Sequence, residues 1–244
     1  MAVLITGVAG FIGSNLTKIL LSRNNKVFGI DNLSRGTIVN INDLIDNKNF
    51  IFNKIEMNDL AAYRVAFGNF SKIEPITEVW HLAANSDILA GVQDANVDLR
   101  DTFMTTFNTL ELMKEFKVGI FMFASSSAVY GDLGSKILNE KMGPLLPISN
   151  YGAMKLASEA AISAAAEVFL DQVFIFRFPN VIGIPATHGV ILDFIRKLSV
   201  TTNNLNVLGN GTQKKPYLHV DELIDAMLFI CNNAFENINI FHRD

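Results

Sequence analysis

Cysteine is nearly absent from this chain. Cys231 is the single one in 244 residues, so no disulfide can form within the chain, which fits a reducing compartment. An excess of positive charge is absent too: 20 Lys and Arg stand against 24 Asp and Glu, a formal charge of −4. That gives no general attraction to nucleic acid or anionic lipid. Apolar runs such as residues 120–124 fall far short of the ~18 residues needed to cross a bilayer. The N-terminus runs straight into a strand pattern, leaving no room for a signal peptide. His188 and His219 lack Cys, His or Asp companions at ligand spacing, so no metal is expected. What is plentiful is apolar character: 50% of residues are hydrophobic and 18% charged, which excludes disorder and favours a large core. The expectation is a soluble, cytoplasmic, globular protein.

Short apolar runs at 3–5, 27–30, 50–55, 79–83, 120–124 and 173–177 alternate with helix patterns at 12–22, 38–46, 60–70, 98–116 and 151–170. None of the runs alternates polar with apolar, as expected of strands buried on both faces. Strands alternating with helices predict an α/β fold, a doubly wound parallel sheet. Past residue 177 the rhythm changes: a Gly/Pro-punctuated stretch, one helix, a polar loop at 201–206, a short strand, and a helix from 221 to about 232. A further strand pattern lies at 238–241. The expected division is a dinucleotide-binding domain over 1–178 and a smaller substrate region over 179–244.

The first strand stops at Gly7-Val-Ala-Gly10-Phe-Ile-Gly13, where a helix pattern begins. A tight turn, close approach to a pyrophosphate and close helix–strand packing each need a residue without Cβ. The helix N-terminus adds free N–H groups and positive dipole. Asp31 ends the second strand, 24 residues after Gly7. A carboxylate there accepts from ribose hydroxyls and repels a 2′-phosphate, favouring NAD over NADP. Arg35 pulls the other way, since an arginine nearby could accept that phosphate.

Tyr151 and Lys155 stand four apart at the start of an Ala-rich helix and so share a face. A phenol with a pKa near 10 acts as a base around neutrality only if that pKa is pulled down. A lysine ammonium one turn away, with a positive nicotinamide, would do this. The spacing alone is weak. Its setting strengthens it: the strand at 120–124 leads into Ser125-Ser126-Ser127, and the C-terminal edge of a parallel sheet is where ligands bind.

These segments resemble the extended short-chain dehydrogenases/reductases, and within them the sugar-nucleotide epimerases. The matches are Gly7 to Gly13, Asp31-Asn32-Leu-Ser34-Arg35-Gly36, His81-Leu-Ala-Ala84, Ser125-Ser-Ser-Ala-Val-Tyr-Gly131, Tyr151-Gly-Ala-Met-Lys155, Arg177-Phe-Pro-Asn180 and Leu208-Gly-Asn-Gly-Thr-Gln213. The Asp31–Gly36 segment looks especially like that of UDP-glucose 4-epimerases. The resemblance implies Tyr151 as base, Lys155 as its partner on the nicotinamide ribose and Ser126 as the catalytic hydroxyl. It puts Gly7, Gly10, Phe11, Ile12, Gly13, Asp31, Asn32, Ser34, Arg35, Gly36, Glu56, Met57, Leu82, Ala83, Ala84 and Pro179 around NAD. Asn180 and Lys215, with Ser126 and Tyr151, would hold a UDP-hexose. It implies C4 epimerisation through a transient 4-keto sugar, and a homodimer pairing helices 98–116 and 151–170.

Three departures stand out. Ser127 and Ala128 occupy the place of the acidic pair in sugar-nucleotide 4,6-dehydratases. Lys215 stands where an arginine is common and lacks the bidentate fork, and Thr102 stands where the family often has Asn. The chain is also shorter than typical members, by what looks like the last part of the substrate region. Two other readings stay open: a net oxidoreductase of the same fold, acting on a 3-hydroxy acid or threonine-type substrate, and a non-catalytic NAD-binding protein. His81, beside Trp80, reads as packed rather than catalytic.

Overall fold

The structure, a computed structural model, describes residues 2–134, 136–186, 189–201, 203–207, 209–212 and 214–236. His188, the pattern at 238–241, and Leu208 and Gln213 of the 208–213 motif lie outside the described residues. The chain divides into two compact units, Met1–Phe178 and Pro179–Asp244.

The first unit is built on six parallel strands: β1 (Ala2–Thr6), β2 (Lys26–Asp31), β3 (Phe50–Lys54), β4 (Ile76–His81), β5 (Ile120–Ser126) and β6 (Gln172–Phe178). Their order is β3-β2-β1-β4-β5-β6, the doubly wound arrangement that reverses direction between β1 and β4. β1 is buried along its whole length. β6, at an edge, is only half-buried, with Ile175 37% exposed. The crossovers are α1 (Phe11–Ser22), a 3₁₀ turn (Ile38–Leu44), α2 (Leu60–Ile73), then α3 (Ile88–Gln93), α4 (Ala95–Asp98), a π-helical turn (Leu99–Met104) and α5 (Thr105–Phe116), and α6 (Asn150–Ala166). α2 starts where the Asp59 carboxylate accepts from Ala62 N, and α6 where the Ser149 hydroxyl accepts from Gly152 N, both ordinary N-caps. Aromatic side chains join α2 to the sheet and to α5: Phe28 stacks on Phe70 at 4.6 Å and Phe67 on Phe116 at 5.0 Å.

Two helix readings change. The 38–46 pattern forms a short 3₁₀ turn, and the helix expected over 98–116 is interrupted by a π-helical turn and preceded by α3 and α4. The cause lies outside the helix: Asn85 N donates to Thr102 Oγ1 at 3.1 Å and Asn85 Nδ2 to Asp98 Oδ1 at 2.8 Å. These bonds tie the helix start to the loop after β4.

The second unit holds β7 (Asn180–Ile182), α7 (Val190–Val200), β8 (Tyr217–His219) and α8 (Val220–Glu236). β7 and β8 pair in parallel, Val181 opposite Leu218. Gly183 has a φ of +141°, and a Cβ there would meet Val220 Cγ1 at 2.6 Å. α8 buries Leu223, Ile224, Met227 and Leu228, whereas no residue of α7 is buried.

Candidate active site

The turn from β1 into α1 is set by its glycines. Gly7 has a φ of +72°, and a Cβ on it would stand 2.8 Å from Ala83 N; a Cβ on Gly13 would stand 2.2 Å from Gly7 O. Any side chain at either position would push apart the turn, the crest of β4 and the first turn of α1. α1 begins at Phe11 with Gly10 as its N-cap and no side chain capping it. The N–H groups of Phe11 and Ile12 therefore face outward from a positive helix end.

Asp31, buried at the end of β2, accepts from Ala9 N at 3.0 Å and from Leu33 N at 2.8 Å. Burial pushes its carboxyl above the usual range, against the pull of those two N–H groups. Beyond it, Asn32 accepts from Ser34 N and donates to Glu56 at 2.9 Å. Arg35 pairs with Asp87 at 3.1 Å, and Gly36 packs against Ala9. Met57 is buried, its carbonyl accepting from Asn108 Nδ2. On the other flank Leu82 N donates to Thr6 O and Ala83 N to Thr6 Oγ1; Ala84 follows, half-buried.

The Ser126 hydroxyl stands close enough to the Tyr151 phenol to favour its ionised form, although 25 positions separate them in the chain. What brings them together is Gly152: a Cβ there would meet Ala128 O at 2.6 Å, so α6 closes onto the loop after β5 only with glycine next to the tyrosine. Ser126 also caps that loop, its hydroxyl accepting from Ala128 N at 3.1 Å. Lys155 is 2% exposed. Its Nζ donates to Ala124 O at 2.5 Å, lies 4.6 Å from the Phe123 ring centre and 5.9 Å from that of Tyr151.

Burial pushes the Tyr151 phenol up to about 12, with the Ser126 hydroxyl opposing the rise and the Asp98 charge adding to it. It pushes Lys155 down to about 7, against the charge of Glu159. The lowering of the tyrosine expected from its lysine neighbour is therefore not found in the chain by itself: desolvation of the phenolate dominates, and the charge of Asp98 adds to it.

Deeper contributors surround the pair: His81 is packed as the sequence implies, whereas Glu159 had no signal in the sequence. His81 lies fully buried against the Phe121 and Phe123 rings and shares hydrogen bonds with Thr6 at 2.8 Å and Thr106 at 3.1 Å. Burial and the Lys155 charge push it down to about 3, so it is a neutral structural imidazole. Behind the lysine, Glu159 accepts from Ser125 Oγ at 2.5 Å and pairs with Arg177 at 2.7 Å, and Arg177 reaches the Tyr130 hydroxyl at 3.2 Å. This network pins β5, α6 and β6 together around the Ser126–Tyr151 pair. In the second unit, Asn180 donates to Pro216 O at 3.3 Å, Pro179 opens the unit, and Lys215 is exposed. Among the described residues no group of three His, Cys, Asp or Glu could hold a metal ion. Among the same residues no helix is long and apolar enough to cross a membrane.

These residues fit a dinucleotide. Bare N–H groups above a turn with no room for Cβ suit a pyrophosphate. Asp31 has lone pairs left for ribose hydroxyls, and Lys155 offers three N–H donors against a single acceptor in the chain. A doubly wound sheet with this glycine turn and a Ser–Tyr–Lys cluster on the crest of β5 is the arrangement of a dinucleotide-dependent short-chain dehydrogenase/reductase. Comparison with known proteins narrows the class: residues 3–240 match the NAD dependent epimerase/dehydratase family, and the chain belongs to it. It is 28% identical over 225 residues to a UDP-glucuronate 4-epimerase of Thermodesulfobacterium geofontis, covering 90% of this chain and 68% of that one. To a dTDP-glucose 4,6-dehydratase of Neisseria gonorrhoeae it is 27% identical over 244 residues, covering 92% and 67%. A crystal structure of a UDP-galactose 4-epimerase superposes with a TM-score of 0.82 at 31% identity, covering 99% of this chain and 74% of that one.

Proposed function

We propose that this chain catalyses NAD-dependent epimerisation of a UDP-hexose at C4, with UDP-glucose and UDP-galactose as the pair. One observation carries the choice of epimerisation over dehydration: directly after Ser126 the crest of β5 presents Ser127 and Ala128. Loss of water across C5 and C6 needs an acid and a base there. The likeness to a UDP-galactose 4-epimerase structure supports the sugar pair. The likeness to a UDP-glucuronate 4-epimerase makes the glucuronate the substrate to test against it.

In this reading Gly7, Gly10, Phe11, Ile12 and Gly13 hold the pyrophosphate of NAD and Asp31 the adenosine ribose. Asn32, Ser34, Arg35, Gly36, Glu56 and Met57 line that end, and Leu82, Ala83, Ala84, Lys155 and Pro179 the nicotinamide end. When bound, NAD supplies a reversible hydride acceptor and a positive charge. Tyr151 takes the proton of the C4 hydroxyl through or beside Ser126. Once the flat 4-keto sugar has turned over, Tyr151 would return the proton to the C4 oxygen, and because the hydride acceptor is reversible no net redox would occur. Because burial alone holds the phenol near 12, the reading requires the bound cofactor's charge to bring it down. Asn180 and Lys215 are assigned to the substrate diphosphate.

The same reading includes a homodimer through α5 and α6, supported by Phe107, 42% exposed on α5, and by exposed Ala160 and Ala164 on α6; sedimentation tests it. A coupled assay of UDP-galactose, UDP-glucuronate and UDP-N-acetylglucosamine tests the activity. Turnover of UDP-galactose above the other two is expected, and turnover of only one of the others would overturn the substrate assignment.

A further inference from the structure

The glycine turn lies between two loops that pack against it as walls. One is the loop 32–37 on the crest of β2, which presses on the turn where a Cβ on Gly36 would meet Ala9 C at 2.7 Å and where Thr37 N donates to Ala9 O at 3.1 Å. The other is the loop 82–87 on the crest of β4, whose Ala83 leaves no room for a Cβ on Gly7. Arg35 Nη1 meets Asp87 Oδ2 at 3.1 Å, joining wall to wall. In the strand order β2-β1-β4-β5 that bond spans the crest of β1. A dinucleotide laid from Asp31 on β2 to Lys155 beside β5 crosses the same crest.

The two partners are held unequally. Asp87 is fixed: its Oδ1 accepts from Leu89 N and Ala90 N, its own N donates to Asn85 Oδ1, and Asn85 is anchored on buried Asp98 and Thr102. Arg35 projects from a short exposed loop, and the two side chains are 43% and 33% exposed. A pair this open to water adds little to fold stability, yet it joins the two loops on either side of the β1 crest.

We propose that Arg35 and Asp87 are a latch across the cofactor site, positioning residues that set how fast the dinucleotide escapes. The proposal rests on NAD lying between these two loops and is independent of which sugar is turned over. Loading the protein with labelled NAD, chasing with excess unlabelled NAD and following release tests it, with no sugar nucleotide present. Asp87→Asn keeps the helix cap, because the amide oxygen still accepts, and removes the charge. Both Asp87→Asn and Arg35→Gln should speed release about tenfold, while the double variant releases no faster than either single one. Salt should speed release from the parent and leave the variants unchanged. Unchanged melting temperatures of the cofactor-free variants would show that the fold is intact. Faster release from Arg35→Gln alone would mean that the guanidinium acts on the cofactor directly and would overturn the latch. Equal release from parent and variants, additive effects, or no retention of NAD by the parent would overturn it too.

Discussion

The two units of this chain solve the problem of burying apolar surface differently. In Met1–Phe178 six strands run side by side and both sheet faces carry helices, so the apolar runs are buried and their crests are fixed. In Pro179–Asp244 the strands are three residues long, and the apolar stripe of α7, with Ile191, Ile195 and Leu198, stays 43–59% exposed. Chemistry that needs atoms held to a fraction of an ångström belongs on the first kind of scaffold. There the glycine turn, Asp31, Ser126 and Tyr151 stand at strand ends or first helical turns, and Lys155 one turn further along α6.

The comparison can be broken most strongly in the core of the first unit. Phe67 is fully buried against Phe116 and Tyr63. Phe67→Ala should cost about 3–5 kcal/mol in denaturant unfolding, and a cost below about 1 kcal/mol would mean that this core is not packed as described. Next comes the site itself. Tyr151→Phe keeps the ring and removes the proton acceptor, so turnover should fall at least ~10²-fold, about 2.7 kcal/mol, with NAD still bound; near-parental turnover would remove the tyrosine from its role.

Lys155 offers a pH-dependent test. Its folded pKa of about 7 lies below the unfolded value of ~10.4. Between those values the unfolded chain holds more protons, so this group's penalty on stability is full below pH 7 and fades as pH rises toward 10. Lys155→Met should therefore melt several degrees above the parent at pH 6 without cofactor, with the gap narrowing by pH 10; a pH-independent gap would contradict the buried ammonium. The smallest effect belongs to the second unit, where Ile195, 59% exposed, should tolerate Ile195→Gln within about 0.5 kcal/mol.

Much of the first unit was legible because its signals are local. Glycines at 7, 10 and 13 sit where no side chain fits, and Tyr151 and Lys155 share a helix face by spacing alone. The strand at 79–83 was read short at its start because Thr77 and Glu78 are polar; β4 begins at Ile76, and Glu78 is held by Trp80 Nε1 at 3.0 Å. The π-helical turn was hidden because it answers to Asn85, far away in the chain. The same holds for the deeper parts of the site. Nothing in the periodicity ties His81 to Thr6 and Thr106, or Glu159 to Ser125 and Arg177. Those pairings exist only once β1, β4, β5 and β6 are laid side by side. Nothing in the spacing around Gly152 shows that the carbonyl of Ala128 packs against it.

The central claim is that hydride leaves C4 and returns to C4 within one site. UDP-galactose carrying deuterium at C4 tests this directly. The account predicts UDP-glucose with the deuterium still on C4 and no NADH accumulating in proportion to turnover. Loss of the label to water, stoichiometric NADH, or a 4-keto-6-deoxy product would contradict it.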